Sequence, residues 1–258
     1  MDTILAELMK MFPALNTMLG AGVMVFARLI GFVRLAPVFN RKEIPSLVKL
    51  SLCFLLTLVI TPFVKTDLMI MDSFYLSIVL NIVVGALIGY MAQLILLAVE
   101  AGADMINMQM GLSSAMVLDP TTSSQVSILS KIMSIFGVLL FIHLGGIYWL
   151  IRALLRSFEI FPIYATSIPL DQLVNMDYLI SMSSNVLYMG LQIAAPILLA
   201  TLGQDIILGV ISKTAPQVNV FQLSFLFKPV LGAAIMIWIL PMLLNIISEY
   251  FLSYSHIF

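Results

Sequence analysis

Hydrophobic positions run in long unbroken stretches along this chain, and short polar interruptions divide them into six segments. The first extends from about Ala14 to Leu35 and carries Arg28 and Arg34; the second, Leu50 to Val64, is short and ends around Pro62. The third covers Ser73 to Val99, the fourth Ile132 to Ile151, the fifth Tyr178 to Gln204 with Pro196 inside, and the sixth Pro229 to Ser248 with Pro241 inside. A helix needs about 20 apolar residues to cross the hydrocarbon of a bilayer. Segments three to six meet that length, the first meets it if its arginines are accommodated, and the second is marginal. The pattern predicts an all-α integral membrane protein with about six long apolar helices in one domain, residues 1–258.

Composition strengthens that reading. Of 258 residues, 62% are hydrophobic and 10% charged, against about 25% charged in soluble domains. A soluble fold could not cover so much apolar surface with so few polar groups. The net charge of −1 offers nothing to nucleic acid. A single cysteine, Cys53, allows no internal disulfide, and with two scattered histidines, His143 and His256, it argues for no metal site. His143, inside an apolar run beside Gly145 and Gly146, reads as a packing histidine. No HExxH, GxSxG, Walker or CxxC motif occurs, so the expectation is no enzyme, no cofactor and no metal. The N-terminus places Asp2 and Glu7 before Lys10; a signal peptide starts basic, so this stretch reads as an amphipathic entry to the first helix. Arg41, Lys42 and Lys49 between the first two segments face only Glu43, which assigns that loop to the cytoplasm and the N-terminus to the outside. Arg152 and Arg156 pull the other way.

One stretch departs from lipid-compatible helix. Between Glu100 and Pro120 stand Glu100, Asp104, Asp119 and the methionines Met105, Met108, Met110 and Met116. On a helix Glu100, Asp104, Asn107 and Gly111 form one stripe, and ionisable groups in apolar helices are expected at functional sites. The commoner origin of an acidic pair is a solvated helix end. Leu118-Asp119-Pro120 then reads as a helix break: either a deformable, methionine-rich plug, or an ordinary bend in which Asp119 caps the next helix and Pro120 sits in its first turn. Arg28 and Arg34 need partners if buried, and Glu100 and Asp104 are candidates; Arg34 could instead snorkel to the interface. Gly85 and Gly89 have the small-xxx-small spacing that lets a second helix approach closely, with no partner assigned. A secondary transporter could use Glu100 and Asp104 as coupling carboxylates and Pro196 or Pro241 as breaks in discontinuous helices, and would show inverted repeats; no convincing repeat is visible.

Two motifs read together resemble one family. The first is Glu100-x-Gly102-x-Asp104, then Gln109-x-Gly111, then Asp119-Pro120. The second is the polar insertion Ala215-Pro216-Gln217-Val218-Asn219-Val220-Phe221 between two apolar segments, followed by Lys228 and Gly232. With Phe26-x-Arg28, Pro37-x-Phe39, Ile44-Pro45 and Pro62, the match covers nearly the whole chain. It resembles the FliR/SctT family of type III secretion export-gate proteins, on its flagellar side. Ser224-Phe225-Leu226 stands where flagellar members often have Gly-Phe-Pro, which puts a special turn there in doubt.

The resemblance implies a structural, pore-forming subunit, built like a FliP fused to a FliQ, that assembles with FliP and FliQ and associates with FlhB and FlhA. It implies passage of unfolded flagellar subunits across the bacterial inner membrane at the flagellar basal body, in a gate that protrudes towards the periplasm. It also implies a pore plug from about Gln109 to Thr122, centred on Gly111, Met116, Asp119 and Pro120. Arg28, Arg34, Glu100 and Asp104 become buried or pore-lining charges. Pro216, Gln217, Asn219, Phe221 and Lys228 become an assembly motif.

Overall fold

Apolar backbone must satisfy its own hydrogen bonds in lipid, which favours long helices, and the computed structural model of the chain is built from them. It describes residues 13–41, 43–64, 74–112, 117–119, 124–126, 128–164 and 176–255. In order come α1 (Pro13–Leu35), α2 (Ser46–Ile60), α3 (Phe74–Gln109), β1 (Val117–Asp119), β2 (Ser124–Val126), α4 (Ile128–His143), α5 (Gly146–Ile160), α6 (Met176–Thr214) and α7 (Val220–Ser255). Five helices are long and apolar enough to cross a membrane, and the bent pair α4–α5 makes up to six. The expectation of an all-α membrane protein with about six apolar helices holds, with one short antiparallel strand pair added, Val117 opposite Val126 and Asp119 opposite Ser124.

Three boundaries differ from the pattern. The third segment does not end near Val99: α3 continues through Glu100 and Asp104 to Gln109 as one helix of 36 residues, because a charged pair interrupts hydropathy without disfavouring helical backbone. The fourth segment is not one straight helix. It straddles a break where the chain bends by 67° between α4 and α5, at Gly145, whose φ of +80° is a left-handed conformation that glycine adopts without penalty. Pro196, Pro229 and Pro241 lie inside α6 and α7 and do not divide them, so the breaks expected of a transporter at Pro196 or Pro241 are not found.

The chain packs as two compact units, residues up to Gln93 with Tyr148–Leu179, and Leu94–Ile147 with Ile180–Ile257. In the first, α1 and α3 cross backbone to backbone. A Cβ added to Gly85 would lie 1.9 Å from the carbonyl oxygen of Arg28, and one added to Gly31 would lie 2.1 Å from that of Ile82. The Gly85/Gly89 spacing thus has its partner: α1 from Arg28 to Leu35, with Ala36 just beyond its end. Helix α2 buries only Cys53, Thr57 and Ile60, one stripe at helical spacing, and leaves Leu47, Leu55, Leu58 and Val59 exposed. In the second unit the end of α3 packs on α4, α6 and α7. Phe141 meets Phe251 with ring centroids 5.3 Å apart, and Met110 fills the space beside Gly232.

Candidate functional site: two polar clusters and a helical turn

Arg28 lies mid-way along α1 and is 0% exposed. Its Nε and Nη2 donate to Asn81 Oδ1 at 3.0 and 2.7 Å, Nη1 donates to the Ser157 carbonyl and hydroxyl at 2.8 and 3.1 Å, and Nη2 also donates to the Phe161 carbonyl at 2.8 Å. All five N–H donors of the guanidinium are used. The group also stacks over the Phe158 ring, 4.3 Å from its centroid, a cation–π contact that strengthens on desolvation. Asn81 is itself oriented, since its Nδ2 donates to the carbonyls of Ser77 and Ile163. The acceptors from Ser157 and Phe161 belong to the last turn of α5 and the residue just beyond it. There the helix dipole is negative, and the Ser157 carbonyl accepts the guanidinium in addition to the Phe161 N–H at 2.9 Å. Arg28 is therefore neutralised by a helix terminus and an amide, not by a carboxylate. The pairing with Glu100 or Asp104 offered by the sequence is replaced, because neutral acceptors arrive with better geometry from within the same unit. Arg34, in the last turn of α1, is exposed.

Glu100 and Asp104 are engaged across α3 and α4. The Ser134 hydroxyl donates to Glu100 Oε1 at 2.6 Å, and the Ser130 hydroxyl donates to the Asp104 carboxylate. The two pairs step by one turn in opposite directions, a polar ladder between antiparallel helices. Glu100 is half-buried, Asp104 exposed and Asn107 buried. Met108 is 73% exposed while Met110 is buried.

The stretch expected as a plug begins at the end of α3. Gln109 is its last helical residue, and Gly111, with φ +73°, turns the chain out of the helix while its N–H reaches the Met108 carbonyl at 3.1 Å. The helix therefore stops nine residues before Asp119-Pro120, and the glycine stops it. Asp119 lies in β1 and α4 begins only at Ile128, so the capping role for Asp119 is not found. Met116 and Pro120 lie outside the described residues.

The Pro216–Phe221 motif forms the turn of the α6–α7 hairpin. The Ala215 N–H closes onto the Ile211 carbonyl at 2.8 Å and the Val218 N–H onto the Ala215 carbonyl at 3.0 Å. Asn219 caps α7: its Oδ1 accepts from the Gln222 N–H at 3.2 Å, the ordinary task of an N-cap asparagine. Pro216 and Gln217 are exposed, and Phe221 is 81% exposed. One turn past Ser224, Lys228 pairs with Asp205 of α6 at 2.8 Å and pins the hairpin's two arms. The motif thus has a structural task within the chain, and its aromatic side chain is left outward.

Sequence reasoning missed Asn81, Ser157, Phe158 and Asp205. A lone asparagine in the apolar run Ile78–Val84 was the one visible signal. His143, expected as a packing residue, is instead exposed at the C-terminal end of α4. Gln204 is buried in α6 with neither amide atom bonded among the described residues. Among those residues no group of three or more His, Cys, Asp or Glu could hold a metal ion.

Known proteins align over most of this architecture. The flagellar biosynthetic protein FliR of Escherichia coli (strain K12) is 28% identical over 219 residues, 84% of this chain and 82% of that protein. The protein of the same name from Aquifex aeolicus is 25% identical over 236 residues, 90% of each. The surface presentation of antigens protein SpaR of Shigella flexneri is 25% identical over 210 residues, 78% of this chain and 80% of its own length. Residues 19–254, from the first turns of α1 to the last turn of α7, match the family described as bacterial export proteins, family 1, and the chain belongs to that family.

Proposed function

We propose that this chain is a structural, pore-forming subunit of the flagellar type III protein export gate, passing unfolded flagellar subunits across the bacterial inner membrane. The observation that carries the reading is the family match across nearly the whole chain, with relatives named for flagellar biosynthesis in several bacteria. The geometry supports it. The polar groups sit in helix-to-helix contacts and caps, where assembly needs them, and the described residues present no clustered reactive side chains. Large apolar side chains on α6 and α7, such as Leu199, Val230 and Trp238, are exposed in the single chain, as expected of a subunit covered by others. FliP and FliQ are the proposed companions in a helical complex, with FlhB and FlhA associated and the gate rising towards the periplasm.

In this reading the turn at Gly111 and the strand pair after it belong to a plug that closes the passage. Two measurements test it. The chain should co-purify with FliP and FliQ in one detergent particle, and its isolation as a lone monomer from cells that make all three would sink the proposal. Deleting Gly111–Val117 should let ions or small solutes leak through the assembled gate; unchanged membrane conductance with assembly intact would remove the plug.

A further inference from the structure

Helix α5 differs from the other apolar helices in where its charges stand. Leu150, Leu154, Ser157 and then Phe161 recur at helical spacing and are buried. Arg28 holds both the Ser157 hydroxyl and the carbonyls of Ser157 and Phe161, so the rotation of α5 about its axis is set. The opposite face carries Tyr148, Arg152 and Arg156 at steps of four, all exposed, with Glu159 exposed beside them. No hydrogen bond or ion pair engages Arg152, Arg156 or Glu159 among the described residues. On the shoulders of that face Ile151, Leu155 and Ile160 are 42, 45 and 54% exposed.

Two unpaired guanidiniums one turn apart, a tyrosine in line with them and aliphatic shoulders form the pattern of a helix lying in a membrane interface. Arginine matches phosphate geometry, tyrosine settles at headgroup level, and aliphatic side chains enter the acyl boundary. The net excess of one positive charge over Glu159 on that face is complementary to an anionic surface. We propose that α5 lies in the interface and that Arg152 and Arg156 bind the phosphates of anionic lipid headgroups. The inference rests on the membrane placement of the chain and is independent of its export role.

The test uses the full chain, with whatever subunits accompany it, reconstituted into mixed vesicles of phosphatidylglycerol and phosphatidylcholine. After detergent extraction, retained lipid is counted by native mass spectrometry. Wild type should retain phosphatidylglycerol in preference to phosphatidylcholine, and R152Q/R156Q should lose about thirtyfold of that preference. R152K/R156K should keep most of it, E159Q should not lower it, and inorganic phosphate should not displace the lipid. If the double variant misfolds by circular dichroism, the single variants R152Q and R156Q, each expected to lose about fivefold, decide. Unchanged retention in the glutamine variants overturns the proposal, as does equal retention of the zwitterionic lipid. Displacement by inorganic phosphate would identify a general anion site, and loss of a protein subunit with lipid retention intact would identify an acidic protein as the occupant; either defeats lipid binding.

Discussion

The two charged clusters in apolar helices are solved in opposite ways. Arg28 is enclosed by its own unit, with every donor used and, among the described residues, no carboxylate bonded to it. Glu100 and Asp104 each take one serine hydroxyl, and an ionised carboxylate can accept several more bonds. The first arrangement is closed and completes a fold. The second is open-ended and leaves acceptor capacity for a neighbour. A buried ion without a counter-ion is therefore no sign of chemistry here; the cluster with unused capacity is the one to examine for assembly.

The largest effect should come from breaking the closed cluster. Arg28→Leu strands Asn81 Oδ1 and the Phe161 carbonyl in the interior, and removing one side of a buried charged network costs about 3–5 kcal/mol. Thermal unfolding of the chain in detergent should show it. Arg28→Lys should recover little, since an ammonium has three donors where five are used. A Lys variant as stable as wild type would show that charge alone matters and that the five-bond geometry does not.

Next comes the helix crossing beneath that cluster. Gly85→Ala places a methyl against the Arg28 carbonyl oxygen and should cost up to about 3 kcal/mol through overpacking. Gly203→Ala is the control: nothing lies within 4 Å of its added Cβ, so helix propensity should leave stability unchanged or raise it by up to about 1 kcal/mol. Equal behaviour of the two variants in the same unfolding assay would contradict the backbone-to-backbone crossing.

The smallest effect belongs to the open cluster. Glu100→Gln with Asp104→Asn keeps hydrogen-bonding groups opposite Ser134 and Ser130, and side-chain hydrogen bonds in membrane helices average about 0.6 kcal/mol. Stability of the chain should fall by about 1 kcal/mol or less, and export in a motility assay should persist or decline with assembly. Loss of coupled proton flux in a purified, correctly folded chain would revive a carrier role for the pair and reverse the comparison.

These contrasts mark what was legible in the sequence. Apolar runs located the spans because lipid tolerates little else, and the glycine spacing at Gly85 and Gly89 announced a close approach. The partners were not legible. Asn81 and Ser157 lie 53 and 129 residues from Arg28 in the chain, and each is an unremarkable polar residue by itself. The break at Gly145 was hidden by the apolar residues on both sides of it. In the plug region Asp119-Pro120 looked like the helix breaker, yet Gly111 had already turned the chain, because a left-handed glycine ends a helix wherever packing permits it.

The unbroken course of α3 has a consequence for reach. Its 36 residues extend about 54 Å, whereas the hydrocarbon of a bilayer is about 30 Å deep. Even at a tilt of about 40°, the steep end of the usual range, the helix still climbs about 41 Å along the bilayer normal. Its apolar stretch from Phe74 to Val99, about 39 Å long, fits that depth at the same tilt. At that tilt the remaining turns, which bear Glu100, Asp104 and Asn107, are length in excess of the hydrocarbon depth. Helix α3 is thus longer than one crossing requires, and the turn at Gly111 marks the end of that surplus.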